Sequence, residues 1–507
     1  MSFSFIKSAT TFSLDALPIE IEADLSNGLP SFLIVGLPDK AVEESKERVR
    51  SALKNSGLSL PQKRITINLA PADLKKEGPI FDLPIAVSIL LASGQIDNDL
   101  SESLFVGELS LKGDLRHTSG ILSFAKFAKD TGMKNIFIPK SNLCEASIIK
   151  GINIYPVESL SQLLHHLRSE KLINPIIDQV RAKKDEMDFD GCDFSLIKGQ
   201  EHAKRALEIA AAGGHNILLF GPPGSGKTML AKSIASILPK LTFEEMIEVT
   251  KIYSVAGLLD PQKPLLETRP FRSPHHTSSD IALVGGGRYP RPGEITLAHR
   301  GVLFMDELPE FSRSVLEVLR QPLEDGVVNV ARATQTVTFP ASFLLIASQN
   351  PCPCGFYGDQ EKNCVCTPSQ IVRYKKKVSG PLIDRIDMHL EVPRVEIKKI
   401  TSKDKSEESF LVRERVEGAR KIQLIRFSGK KTKTNSEMSQ RDLLEYAEVC
   451  GQALETLQFA AKNLSLSARS YFRVVKLART IADLEGEGVI EERHVAEALQ
   501  YRSRGGW

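Results

Sequence analysis

The octapeptide Gly221-Pro222-Pro223-Gly224-Ser225-Gly226-Lys227-Thr228 constrains this chain more than any other stretch. It satisfies G-x-x-x-x-G-K-[ST] at every fixed position, and its flanks supply the context that the pattern requires. His215-Asn216-Ile217-Leu218-Leu219-Phe220 ahead of it reads as a buried strand, and Met229-Leu230-Ala231-Lys232-Ser233-Ile234-Ala235 behind it has helix-forming composition. The glycines let backbone N–H groups turn inward on phosphates, and the helix that follows presents its positive end to them. Lys227 can reach the β- and γ-phosphates of ATP, and Thr228 can offer its hydroxyl to Mg²⁺.

Length places this loop in a larger frame. A chain of 507 residues is too long for one hydrophobic core, so about two to four domains are expected. Its composition, 42% hydrophobic and 25% charged, is that of an ordinary globular protein. The net charge of +3 is small, so nucleic-acid binding would have to come from local patches. The most apolar run, Leu83 to Ala92, is about half the length that a membrane span needs. Met1-Ser2-Phe3-Ser4-Phe5-Ile6-Lys7 has no charged start leading into an apolar signal core. A cytoplasmic protein is expected, and there the seven cysteines would be mostly reduced.

Further stretches carry chemistry. Gly301-Val302-Leu303-Phe304-Met305-Asp306-Glu307 reads as a buried strand ending in two acids, the Walker B arrangement. Asp306 can hold the Mg²⁺ shell and Glu307 can polarise an attacking water; alternatively the acids cap a helix beginning near Ser312. Cys352, Cys354, Cys364 and Cys366 form two C-x-C pairs. Four thiolates can close a tetrahedral structural Zn²⁺ site, against the alternative of reduced, unligated loop cysteines. Arg269 to Gly293 gathers basic residues, glycines and Tyr289, and Glu324 to Ala333 fits a hairpin. Lys/Arg with an aromatic suits single-stranded DNA, and the same loops could grip a polypeptide. The adjacent His275 and His276 should diverge rather than share a metal. Arg373-Tyr374-Lys375-Lys376-Lys377 reads as a nucleic-acid contact or a solvated basic face. Cys144, Cys192 and Cys450 are isolated and read as packing residues.

Residues 1 to 175 read as an α/β domain. Ile19 to Leu25 and Arg64 to Leu69 alternate like half-buried strands, and Asp39 can cap a helix that stops at Gly57. Phe81 to Ala92 reads as a buried helix, Leu104 to Leu115 as paired strands, and Asn135 to Pro139 and Ile152 to Tyr155 as parallel strands. Lys76-Glu77-Gly78-Pro79, Gly107-Glu108-Leu109-Ser110-Leu111-Lys112-Gly113 and Phe137-Ile138-Pro139-Lys140 make this region resemble the protease domain of Lon and its non-proteolytic relatives. That resemblance puts Ile80 where Lon carries its nucleophilic serine and Leu122 about where it carries its lysine. A Ser–Lys dyad needs both groups, so the domain is expected to be a scaffold or a DNA- or partner-binding module, or a fold kept for packing and assembly.

Asp178 to Asp193 is charge-rich and reads as a linker within residues 176 to 195. Leu196-Ile197-Lys198-Gly199-Gln200 then resembles the opening of AAA+ ATPase modules, here residues 196 to 395. Within such a module, Asn350 after the strand Ala341 to Gln349 matches the sensor 1 position. Gly380-Pro381-Leu382-Ile383-Asp384-Arg385-Ile386-Asp387 resembles the arginine-finger segment of magnesium chelatase motors and MCM helicases. Arg385 would then reach a neighbouring subunit's ATP, which implies a ring; the alternative is a salt bridge to Asp384 or Asp387. Lys398 to Glu408 reads as a charged linker opening residues 396 to 507, a helical lid. Its helices are expected at Phe410 to Phe427, Ser436 to Asn463 and Ile490 to Tyr501, with a frayed tail from Arg502. Arg469 resembles sensor 2, or is a plain surface arginine.

Taken together, Pro351-Cys352-Pro353-Cys354, Ser273-Pro274-His275-His276 and Ala478-Arg479-Thr480-Ile481-Ala482-Asp483-Leu484 make the chain resemble the ComM/YifB family of magnesium-chelatase-like AAA+ ATPases. The family implies a hexameric ring that translocates on DNA and drives branch migration during recombination of incoming DNA, with a loading or recombination protein as a possible partner. A protein-remodelling or metal-insertion motor working with a partner protein is the other reading.

Overall fold

The computed structural model describes residues 3–177, 192–260, 263–287, 290–331, 336–359, 361–395, 406–464 and 466–502. They form two compact units: Met1–Lys184 with Met246–Leu266, and Asp185–Glu245 with Glu267–Trp507. The 178–191 part of the expected linker, the 396–405 part of the second linker, the pair Arg288-Tyr289, the hairpin tip 332–335 and the tail 503–507 lie outside the described residues.

The first unit is built on a seven-stranded mixed sheet. Its strands are β1 (Phe3–Phe12), β2 (Asp15–Ser26), β3 (Ser31–Val35), β4 (Arg64–Ala70), β5 (Ser103–Phe105), β6 (Asn135–Pro139) and β7 (Asn153–Val157). Their spatial order is β3-β4-β2-β1-β5-β6-β7. β1 and β2 pair antiparallel from Phe3↔Asp24 to Phe12↔Asp15. β5, β6 and β7 run parallel. Alternation along β2 puts Ile19, Ile21, Ala23 and Leu25 inside, as a period of two requires. Helix α1 (Lys40–Asn55) starts where Asp39 accepts the Val42 N–H at 2.8 Å. Helix α2 (Asp82–Ala92) is buried almost all round, which is why it has no polar face. Leu104 departs from the expected strand pair: it belongs to β5, and the small pair is only Glu108–Leu109 with Leu115–Arg116.

Ile80 packs against the apolar cluster that contains Leu122. Residues 246–266, which follow the phosphate loop in sequence, also belong to this unit. The Gly120 N–H donates to Ser254 Oγ at 3.0 Å, and Ser254 in turn donates to the buried carboxylate of Glu145. Glu145 also accepts the Leu122 N–H at 2.9 Å and Asn142 Nδ2 at 3.0 Å. Every lone pair used here meets a donor, the condition for burying a carboxylate. Cys144 is exposed rather than packed.

The second unit contains a five-stranded, wholly parallel sheet. Its strands are β8 (Ile217–Phe220), β9 (Phe271–Arg272), β10 (Val302–Met305), β11 (Leu344–Gln349) and β12 (Met388–Glu391), in the order β9-β10-β11-β8-β12. All four residues of β10 are buried, as expected for a strand covered on both faces. Helices Ser409–Arg426, Gln440–Tyr446, Gly451–Asn463, Ala468–Glu485 and Glu492–Gln500 complete the unit. The expected helix 436–463 is broken before Gly451, which is the first residue of its second half. Arg502 is not frayed: its guanidinium donates to the carbonyls of Ile386 and Asp387, both at 3.1 Å, and to Ser470 Oγ at 2.8 Å. Among the described residues no helix is long and apolar enough to cross a membrane.

Candidate nucleotide site and cysteine centre

The sheet order brings the site together. β11 lies between β8 and β10, with Phe220↔Gln349 and Met305↔Ala347 in register. One residue further on, the carboxyl ends of the three strands present Gly221, Asn350 and Asp306 side by side, the usual place for a ligand in an open parallel sheet. Gly221 must be glycine, because a Cβ there would collide with the Val392 carbonyl. Gly224 (φ 78°) and Gly226 (φ 89°) adopt left-handed backbone, which glycine allows without steric cost. Helix Lys227–Ile237 starts directly at the loop.

Lys227 Nζ folds back on the loop, donating to the carbonyls of Gly221 at 2.8 Å and Pro222 at 2.9 Å, and to Asn350 Oδ1 at 3.3 Å. Burial lowers its pKa, opposed by Asp306 and Glu307, so a further anion beside the ammonium would offset the cost of burying it. Ser225 Oγ is buried with no hydrogen-bond partner among the described residues. An unsatisfied buried hydroxyl costs stability unless a ligand meets it. Both features fit a polyphosphate. Thr228 Oγ1 donates to Asp306 Oδ2 at 3.1 Å, and a hydroxyl beside one carboxylate suits Mg²⁺, which keeps most of its waters.

Glu307 sits at φ 53°, a left-handed conformation for a residue with a side chain. Its N–H donates to Ser348 Oγ and to Asp306 Oδ1, each at 3.1 Å, while Ser348 hydrogen-bonds Asp306. Strain of this kind persists where surrounding structure over-determines it, commonly at functional sites. Ser348 thus orients Asp306, a contact with no local sequence motif.

Arg385 and Arg469 lie apart from this cluster. Among the described residues neither has a hydrogen bond or ion pair to the phosphate loop, Asp306 or Glu307. Arg385 pairs with Glu324 at 2.5 Å and donates to the Pro381 carbonyl at 2.7 Å; it does not pair with Asp384 or Asp387. Arg469 lies 3.9 Å from the same Glu324. Asp387 instead binds Arg473 at 2.7 Å. Burial opposes its ionisation, but Arg473 and the bond to His215 hold its carboxyl well below the usual range.

The four cysteines converge, with their sulfurs all within 4.8 Å of one another. Cys352 Sγ lies 3.3 Å from Cys354 Sγ and 3.7 Å from Cys364 Sγ. The Tyr357 N–H donates to Cys352 at 3.3 Å and the Cys354 N–H to Cys366 at 3.4 Å. Backbone N–H groups aimed at sulfur favour thiolates, so these residues fit a tetrahedral Zn²⁺. The same loop abuts the phosphate loop: a Cβ on Gly355 would lie 2.6 Å from Pro223 Cδ. His275 and His276 do not diverge; their ring centroids are 4.1 Å apart. His275 Nδ1 is engaged with Thr277 Oγ1 at 2.8 Å. Tyr374 is buried and Lys377 pairs with Glu310 at 3.1 Å, so part of the Arg373–Lys377 run is internal.

Three family profiles cover nearly the whole chain: "Magnesium chelatase, subunit ChlI" over residues 193–400, "Subunit ChlI of Mg-chelatase" over 21–142, and "Magnesium chelatase, subunit ChlI C-terminal" over 406–502. The competence protein ComM of Haemophilus influenzae is 44% identical over 510 aligned residues, covering 99% of this chain and 98% of the relative. The chain belongs to the ComM/YifB family of magnesium-chelatase-like AAA+ ATPases. YifB of Escherichia coli, an uncharacterized protein, is 42% identical over 99% of the chain and 97% of its own length. Lon protease 2 of Bacillus subtilis is 28% identical over 176 residues, 32% of this chain and 29% of the protease. Family membership suggests ATPase activity.

Proposed function

We propose that this protein is an ATP-driven ring motor on DNA, a helicase or translocase that promotes branch migration when incoming DNA is recombined. The observation that carries the ATPase part is the convergence of Lys227, Thr228, Asp306, Glu307 and Asn350 at the carboxyl ends of three adjacent strands. The DNA part is supported by similarity along the full chain to a protein named for competence.

In this reading Lys227 leaves the Gly221 and Pro222 carbonyls for the β- and γ-phosphates. The loop N–H groups and Ser225 take the remaining phosphate oxygens. Mg²⁺, when bound beside Thr228 and Asp306, neutralises developing phosphate charge. Glu307, held by Ser348 and Asp306, accepts the proton of the attacking water. Asn350 orients that water. Arg385 serves the nucleotide of the adjoining copy in a hexameric ring, and Arg469 of the lid reports on the γ-phosphate. Residues 1–175 form a Lon-like module without the dyad, 176–195 a linker, 196–395 the motor and 396–507 its lid. The protein works in the cytoplasm.

The test is the ATPase rate with and without single-stranded and forked DNA across a salt series. Stimulation that weakens steeply with salt supports the DNA motor, because phosphate contacts release counterions. Hydrolysis that depends on Glu307 but ignores every DNA would instead favour a motor that acts on a partner protein.

A further inference from the structure

Glu324 lies outside the phosphate-loop cluster, and it is helical rather than part of the hairpin expected from Glu324 to Ala333, which starts only at Val327. It lies in the last turn of helix Arg320–Asp325, just before the hairpin Val327–Ala331/Thr336–Pro340. Gly326 (φ 65°) turns the chain out of the helix, and its carbonyl accepts the Ala341 N–H at 2.7 Å, closing the base of the hairpin. The backbone that carries Glu324 is thus held by the helix on one side and the hairpin base on the other.

Two arginines more than eighty residues apart in sequence meet it. Arg385 Nη2 touches Glu324 Oε1 at 2.5 Å, and Arg469 Nη2 lies 3.9 Å from the same oxygen. Arg385 is largely enclosed, at 12% side-chain exposure, whereas Arg469 is 65% exposed. The Arg385 hydrogen bond, then the nearby Arg469 and Arg473 charges, hold the Glu324 carboxyl below its ordinary range. Arg385 Nε is buried with no hydrogen-bond partner among the described residues. Without a negative charge between them, two guanidiniums sharing this space would repel.

We propose that Glu324 is a positioning residue that gathers Arg385 and Arg469 into one pair, so that both are delivered together to a single triphosphate on a second copy of this chain. The inference rests on the reading of Arg385 as an arginine finger. Glu324 touches no reacting atom. It fixes the Arg385 guanidinium through one Nη, while the Pro381 carbonyl fixes the other, and the shared charge keeps Arg469 alongside. Ordering the pair before the phosphates arrive spares the cost of immobilising two long side chains during the reaction.

A mutant cycle on steady-state ATP hydrolysis by the full-length chain tests this, using wild type, Glu324→Gln, Glu324→Asp, Arg385→Ala and the Glu324→Gln/Arg385→Ala double variant. Gln keeps the shape of Glu324 and removes its charge; equal unfolding temperatures would show that the fold is intact. The expected result is a kcat about ten-fold lower in Glu324→Gln with KM for ATP within about two-fold. Glu324→Asp should recover part of the loss, and the double variant should be no slower than Arg385→Ala alone. A Glu324→Gln kcat equal to or above wild type, or losses that multiply in the double variant, would overturn the proposal while leaving the finger reading intact. An Arg385→Ala variant as fast as wild type would overturn the finger reading, and the pair with it.

Discussion

The second unit holds two charged clusters of opposite character. Around the phosphate loop, Lys227 is hydrogen-bonded to Asn350, and Thr228, Asp306, Glu307 and Ser348 form a second hydrogen-bonded set. Around Glu324, two arginines face a carboxylate of their own chain and have no hydrogen bond or ion pair to those groups among the described residues. The first cluster is the one on which the proposed ATP hydrolysis rests. The second has cations but no substrate within reach. A positive charge already neutralised at home contributes to catalysis only where a stronger anion draws it away, and the developing charge of a transferring phosphoryl group is such an anion.

The comparison breaks most visibly at Arg385. Arg385→Ala should lower kcat by roughly 10³ to 10⁵, about 4 to 7 kcal/mol of barrier, with binding of a fluorescent ATP analogue retained. Loss of analogue binding instead would merge the two clusters into one site. Glu307→Gln should cost roughly 10² to 10⁴ in kcat and also leave binding intact, since its proposed role is on water rather than on phosphate.

A gentler test probes the strand behind the arginines. His389 is buried, and burial followed by the Arg502 charge pushes its pKa down to about 3, with Arg473 adding to the shift and Asp387 opposing it. The unfolded chain binds a proton at His389 near pH ~6.5 and the folded chain does not. Stability from this group is therefore complete above that pH. It falls at about 1.4 kcal/mol per pH unit as pH drops toward the folded value. Urea midpoints measured from pH 7 downward should fall more steeply in wild type than in His389→Gln; parallel slopes would remove His389 from the account.

The smallest expected effect lies behind the phosphate loop. Because Gly355 packs on Pro223, stripping metal from the four cysteines should lower the unfolding temperature by a few degrees and weaken ATP-analogue binding modestly. Elemental analysis should find one zinc per chain. Protein purified without chelator and lacking zinc would contradict the site.

The sequence disclosed the first cluster well and the second poorly, for a physical reason. A phosphate loop, an acid pair after an apolar strand and two C-x-C pairs owe their chemistry to neighbours in the chain, so spacing alone reveals them. The capping of α1 by Asp39 and the burial of α2 are local in the same sense. Glu324 and Ser348 take their contacts from residues that the sheet and the helices bring to them, and the hairpin pattern expected from Glu324 onward says nothing of its two arginines. Arg385 shows the same limit: acids beside it in sequence, Asp384 and Asp387, suggested themselves as partners, yet the partner is Glu324, sixty-one residues upstream. Arg502 resembled part of a loose tail because its two backbone acceptors lie on another element. The grouping of residues 246–266 with the first unit follows from contacts such as Lys251–Asp15 at 2.6 Å, which no local pattern encodes.

Co-expression of Glu307→Gln and Arg385→Ala chains tests the division between the clusters most directly. Each variant alone should be nearly inactive. If Arg385 serves a neighbour's triphosphate, a mixed ring contains interfaces in which an intact Glu307 faces an intact Arg385, roughly a quarter of them at equal mixing in a closed ring. Recovery of ATPase activity well above either parent is the result this account predicts. A mixture as inactive as its parents, or an Arg385→Ala chain that is active alone, would contradict it.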